Sequence, residues 1–237
     1  MRNIKGIFIR ELKSYFNSPM AYIFLVIFAL INGYFFTNTF FLINQSDMRA
    51  LFSIIPLVYL FFIPAIAMGV IAKEKNQGTI EVISTLPIKD HEFVLGKYFA
   101  VLSLISIGLL FTLIHFFTLI GVGTNIDYGA AICGYLGLLL VGGFYAAIGT
   151  FASSISENQV VGFIVGIAII IIFFLMDKLL IFVPVSLSGI IQYMSVDFHF
   201  SNISRGVIDS RNLVYFGSMI AFFLMMTVRI LDMRKWR

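Results

Sequence analysis

Asn158–Val196 reads NQVVGFIVGIAIIIIFFLMDKLLIFVPVSLSGIIQYMSV, and the number of times it crosses a membrane decides the fold. Its first part, Asn158–Met176, carries no charge and is long enough to span. A helix needs about 20 mostly apolar residues to cover about 30 Å of hydrocarbon. Asp177 and Lys178 interrupt the run. Leu179–Val196 is then apolar again, but it contains Pro184, Ser186, Ser188 and Gly189. If that second part also crossed, the chain would have seven spans and its two ends would lie on opposite faces.

The surrounding sequence decides between the two counts. Of 237 residues, 60% are hydrophobic and 12% charged, against about 25% charged in a soluble domain. Apolar surface on this scale needs a bilayer to cover it. Charged residues bracket five further spans: Met20–Ile43, a segment between Arg49 and Lys73, one between Lys97 and Asp127, one between Asp127 and Glu157, and Asn212–Val228. Pro56 and Pro64 mark kinks in the second span, and neighbouring helices can satisfy the carbonyls that they free. The fourth is rich in glycine from Gly134 to Gly149, which fits close packing better than ligand binding. With six spans, Arg2, Lys5, Arg10, Lys13, Lys73, Lys75, Lys89, Lys97, Arg229, Arg234, Lys235 and Arg237 face the cytoplasm. Only Arg49, Lys178, Arg205 and Arg211 then lie outside, as the excess of cytoplasmic Lys and Arg requires. The expected fold is therefore all-α, a polytopic domain over residues 1–237 with six transmembrane helices and both termini cytoplasmic. Residues 179–211 form an outer-face segment with short re-entrant helices.

Residues 1–18 are too charged for a signal peptide and lack its cleavage site. Ile4, Ile7, Phe8, Leu12 and Tyr15 recur on one helical face, which predicts an amphipathic helix lying in the headgroup layer. Glu11 falls inside that apolar stripe. It either pairs with Tyr15 or snorkels to water, or else makes a fixed contact to a partner or to the cytoplasmic loop.

That loop, residues 72–97, is longer than a simple connection of about two to eight residues. Helix two is expected to continue through Lys73-Glu74-Lys75, with Gly78 ending it in a left-handed turn. Thr79 then caps a short helix with Glu81 in its first turn. Pro87 ends that helix, and Asp90 caps the next, with Glu92 near its positive end. Such a short, braced element can act as a lever. Glu74, Glu81 and Glu92 beside Lys75, Lys89 and Lys97 offer charge-complementary contacts to a docked subunit.

Lys73-Glu74-Lys75-Asn76-Gln77-Gly78-Thr79-Ile80-Glu81, with Leu86-Pro87 and Glu92-Phe93-Val94-Leu95-Gly96-Lys97, resembles the coupling-helix region of ABC-2 type transporter permeases. Arg10-Glu11-Leu12-Lys13-Ser14-Tyr15-Phe16-Asn17-Ser18-Pro19 resembles that family's N-terminal elbow helix. His199-Phe200, Ser204-Arg205-Gly206-Val207-Ile208-Asp209 and Leu231–Arg237 resemble its gliding-motility-associated branch. Family members often carry more arginine before the Gly-Thr pair than this chain does. The resemblance implies a cytoplasmic coupling helix between spans two and three. It implies pairing with a second permease, identical or related, above a dimer of ABC ATPase subunits. ATP and Mg would be held by that partner and no cofactor by this chain. The resemblance also implies residence in the cell inner membrane and an accessory extracytoplasmic, membrane-anchored subunit at the outer segment. Glu74, Gly78, Thr79, Glu81, Leu86, Pro87, Glu92 and Lys97 are the coupling candidates, with Arg10 and Glu11 in the elbow and His199, Arg205, Gly206 and Asp209 outside.

The residues fit the permease role that the resemblance implies, because they carry no mark of the ATPase. There is no G-x-x-x-x-G-K-[ST] phosphate loop, since Gly96-Lys97 is preceded by His91 where the first glycine belongs and followed by Tyr98. Asn32, Asn38 and His115 are the polar candidates within spans, for a pathway or for contacts between helices. A secondary transporter would need more intramembrane ionisable groups, and an intramembrane enzyme would need paired acids or an activated nucleophile. No metal-ligand spacing occurs, nucleic acid is not an expected partner, and the single Cys133 gives no disulfide framework. A structural component of a motility or secretion machine would use the same loop as an exporter.

Overall fold

The computed structural model describes residues 2–42, 47–84, 87–124 and 126–234, which are helical with no strand among them. Among the described residues, six helical segments are long and apolar enough to cross a membrane: Pro19–Phe41, Arg49–Asn76, Asp90–Val122, Tyr128–Ile155, Gln159–Phe182 and Ser210–Met233. The helices in chain order are α1 (Arg2–Phe16), α2 (Pro19–Thr37), α3 (Arg49–Ala67), α4 (Ala72–Asn76), α5 (Thr79–Ser84), α6 (Asp90–Val122), α7 (Tyr128–Ile155), α8 (Gln159–Leu179), α9 (Val185–Met194), α10 (Val196–Ser204) and α11 (Ser210–Arg234).

The fourth span, α7, is the hub, packed against α3, α6, α8, α10 and α11. Its glycines explain why. A methyl group at Gly134 would stand 2.1 Å from the Phe52 ring, one at Gly149 2.6 Å from Ala67 Cβ, and one at Gly142 2.9 Å from Ile105. Apolar side chains gain little by leaving lipid for one another, so helices in a bilayer associate through close contact, which small residues allow. The peripheral spans instead turn Ile164, Ile172, Val214 and Met225 outward, as a bilayer solvent demands. Side-chain caps close three helix starts. Asp127 accepts from the Ala130 N–H at 3.0 Å, Asn158 from Val161 at 2.9 Å and Asp209 from Arg211 at 2.9 Å.

The expected re-entrant stretch is divided differently. Leu179 still belongs to α8, and a tight turn over Leu180–Phe182 extends that span. Pro184 stands at the N-cap of α9, where its missing N–H costs nothing. The second short helix, α10, begins only at Val196. Phe200 and Ile203 of α10 press onto α7 at Gly137, 3.1 Å from where a side chain would begin. The segments α9 and α10 lie at one end of the bundle. At the other end are α1, the loop before α6 and the last turns of α11, which shares a groove with His91.

Candidate coupling site

The loop between the second and third spans is built from a break, a corner and a brace. Helix α3 does not continue through Lys73 as the sequence suggests. It stops at Ala67, and Met68–Ile71 form a turn before α4. Ser153 of α7 holds that turn. Its Oγ accepts from the N–H groups of Ile71 and Ala72, both at 2.9 Å, and donates to the Met68 carbonyl at 2.8 Å. Backbone groups orphaned by the break are thereby satisfied inside the protein, as membrane depth requires. Lys75 adds a hydrogen bond to the Ser154 carbonyl.

The corner is Gly78, whose φ of +67° is a left-handed conformation that glycine adopts without a Cβ penalty. Its N–H closes onto the Lys75 carbonyl at 3.1 Å. Thr79 does not cap α5 as expected. Its hydroxyl turns back to the Glu74 carbonyl at 3.3 Å and ties α5 to α4. Ile80 is buried, whereas Gly78, Thr79, Glu81 and Pro87 are exposed. Leu86 lies outside the described residues. The cap of α6 is Lys89 and not Asp90, which is the first helical residue. Extended backbone at Lys89 suits the N-cap, and Glu92 reaches back to the Lys89 N–H at 3.2 Å. Asn3 of α1 donates to the same carboxylate at 3.0 Å, and these hydrogen bonds hold Glu92 below the usual carboxylate range.

The brace is a network of four charges. Lys97 Nζ sits 3.0 Å from Glu11 Oε1 and 3.0 Å from Glu74 Oε1. Arg10 Nη2 reaches the same two oxygens at 2.7 and 2.9 Å. The Lys97 side chain is only 1% exposed and those of Glu11 and Glu74 are 16% and 14%, while Arg10 stands at the rim with 54%. Lys97 also lies 4.9 Å from the Phe93 ring centroid, close enough for a cation–π contact. Two carboxylates and two cations cancel, so a lysine can be buried at the entry to α6. Burial is the largest influence on Glu11 and pushes its carboxyl up. The charge of Lys97 and hydrogen bonds from Arg10 and Lys97 outweigh it and hold the group below the usual range.

These contacts resolve Glu11. It is bonded to the loop side of the protein, and Tyr15 donates its hydroxyl to the Ile66 carbonyl at 3.1 Å instead. Glu74 and Lys97 are engaged with each other and with α1, and Glu92 with Asn3 and the start of α6. The elbow helix comes this close because position 96 is glycine. A Cβ there would meet Ile7 at 2.8 Å. Ser153 and Gly96 are the working residues that sequence reading passed over. Ser153 stands in a run of small residues, and Gly96 was quoted only as part of a pattern.

A family model described as ABC-2 family transporter protein matches residues 48–229. The chain belongs to the ABC-2 transporter family. A search of curated proteins returned no match. Membership in the ABC-2 family makes this a multi-pass membrane protein and the permease component of an ABC transporter, which works with an ABC ATPase subunit.

The remaining candidates fall elsewhere. Asn32 of α2 is fully buried and donates to the Phe28 carbonyl of its own helix at 2.6 Å, so it bonds no neighbouring helix with that group. Asn38 opens a π-helical turn over Asn38–Leu42. His115 stacks on Phe36 with centroids 4.7 Å apart and bridges α2 and α6 by its ring face. At the outer end His199 is buried and stacks on Tyr215 at 3.9 Å. Its Nδ1 faces the Asn212 side chain at 2.7 Å and its Nε2 the Tyr193 carbonyl at 2.8 Å. Tyr215 donates to the Met194 carbonyl at 2.6 Å. This knot joins α9, α10 and α11. Arg205 is exposed, and Gly206 turns the chain with φ +89° against the backbone of Ala130.

Proposed function

We propose that this ABC-2 permease receives its ATPase on the exposed tip formed by Gly78, Thr79, Glu81 and Pro87, and passes the thrust to the bundle through the Arg10–Glu11–Glu74–Lys97 network. The observation that carries this reading is the division of the loop into an exposed tip and a neutral, buried brace. The brace ties the tip to the elbow helix and to the start of the third span at once. A push on α5 therefore cannot be absorbed by the loop alone. ATP and Mg belong to the partner, and this chain contributes no catalytic group.

The excess of Lys and Arg at the end carrying the tip supports a cytoplasmic location for that end and for both termini, in the inner membrane of a cell. The chain would work as a pair, with itself or a related permease. It would drive export or mechanical work, with an accessory extracytoplasmic subunit meeting the segment around Arg205 and Asp209. Placement in gliding motility or linked secretion rests on the resemblance at His199–Asp209 and Leu231–Arg237. Co-expression with an ABC ATPase tests the core of this reading. The permease should co-purify with it, and Glu81→Arg should separate the two while leaving the permease folded. Work by the purified chain without a nucleotide-hydrolysing partner would overturn the reading.

A further inference from the structure

A groove of about 720 Å³ runs between α6 and α11 and takes no part in the coupling network. On α6 its wall extends from His91 to Leu102, and on α11 from Asp232 back to Gly217. At 1.5 Å of rise per residue that is roughly 16–22 Å of length. Its body is apolar, with Phe99 and Met225 exposed at the rim. Its charged residues, Arg229 and Asp232, line one end together with His91, at the level of the coupling loop, and Tyr98 lines the wall farther along. Arg229 is exposed and forms no ion pair among the described residues.

We infer that this groove is a phospholipid site, with one acyl chain lying between α6 and α11 and the lipid phosphate on Arg229. Charge and shape together select this occupant. A guanidinium matches a phosphate with paired N–H donors, and here it stands at one end of an apolar trough, where a headgroup lies relative to its chain. A second transmembrane helix fits poorly. It would be about 10–12 Å wide and would follow both helices to the far face, whereas the wall on α6 ends at Leu102, well short of Val122. The inference does not rest on the coupling role. It requires only that the chain sits in a bilayer. A lipid wedged there would fix the spacing between the third span, which begins at the brace, and the last span.

The test is native mass spectrometry of the delipidated full chain titrated with phosphatidylglycerol or phosphatidylethanolamine. Three variants accompany it: Arg229→Ala, Ala221→Trp to fill the groove, and Ile164→Trp on the exposed face of α8 as a control. The expected result is one tightly held lipid per chain with either headgroup, because the phosphate is common to both. Affinity should fall about tenfold in Arg229→Ala, the loss of one charged hydrogen-bond set. Ala221→Trp should abolish the tight site, and Ile164→Trp should leave it unchanged. Arg229→Ala alters only an exposed side chain and carries the test if Ala221→Trp fails to fold. A graded spread of weakly held lipids, indifferent to Arg229, would overturn the inference. So would a loss of dimer in Ala221→Trp with lipid binding intact, because that would make the occupant a second copy of the chain.

Discussion

The two ends of the bundle are tied differently, although the outer end also carries an exposed Lys178–Asp197 ion pair of 2.7 Å between α8 and α10. At the loop end, two carboxylates and two cations tie α1, α4 and α6 together. At the other end, a buried histidine, an asparagine and a stacked tyrosine tie α9, α10 and α11 together, with no ionised carboxylate among those contacts. Breaking a buried ion pair leaves a charge stranded in a poor solvent, whereas losing a neutral hydrogen bond strands only a dipole. The charged end keeps a foothold in water through Arg10, whereas His199 in the neutral knot is fully buried.

The largest effect should therefore come from Lys97. Lys97→Ala should lower stability by about 3–5 kcal/mol, because Glu11 and Glu74 are left buried with Arg10 alone. A drop in the detergent unfolding midpoint would show it. Restoring neutrality by also changing Glu74→Gln should recover part of the loss. An unchanged midpoint in Lys97→Ala would mean that the brace bears no load. Acid should act in the same direction. The Glu11 carboxyl titrates lower in the folded protein than in the unfolded chain. Its stabilising contribution is thus complete above the unfolded value and is lost as pH falls through the folded one. Unfolding midpoints across that acidic window should fall, and Glu11→Gln should flatten the dependence.

Next come the contacts that let the brace form. Ser153→Ala strands two backbone N–H groups and should cost about 1–3 kcal/mol, with faster amide exchange over residues 68–76. Gly96→Ala forces Ile7 away and should cost about 1–3 kcal/mol by overpacking, read as protease sensitivity of α1. At the outer end, His199→Phe keeps the ring stack but loses both polar contacts. It should cost about 1–3 kcal/mol, with increased exchange in α9 and α10 and none at the loop. The smallest effect on stability is expected at Glu81, where Glu81→Gln should change it by less than about 0.5 kcal/mol.

Much of the fold was legible because charge is scarce. Asp47, the charged stretch from Lys73 to Lys97, Asp127, Glu157 and Lys178 fall between apolar runs, and six spans follow from them. Gly78 was legible for a local reason, its place after a helix whose carbonyls need closing. The brace was only half visible. Glu11 announced itself by interrupting an apolar stripe, but Arg10 and Lys97 reach partners 64 and 86 residues away, a distance no helical period reports. Lys97 read as an outward contact for a docked subunit at the mouth of a span. The break at Met68–Ile71 was hidden because it is sustained by Ser153 on another helix, and nothing in its own four residues beyond Gly69 marks it. Cap placement failed at Thr79 because its hydroxyl bonds the Glu74 carbonyl, and at Asp90 because the cap stands one residue earlier, at Lys89, whose N–H donates to Glu92.

The most direct measurement is photo-crosslinking of the assembled transporter, with a benzoylphenylalanine placed at Glu81 in one sample and at Arg205 in another. An ATPase adduct from position 81 alone is the expected result, because the proposal places the ATPase contact on the exposed tip. An ATPase adduct from position 205, or no adduct from position 81 in a complex that hydrolyses ATP, would contradict it.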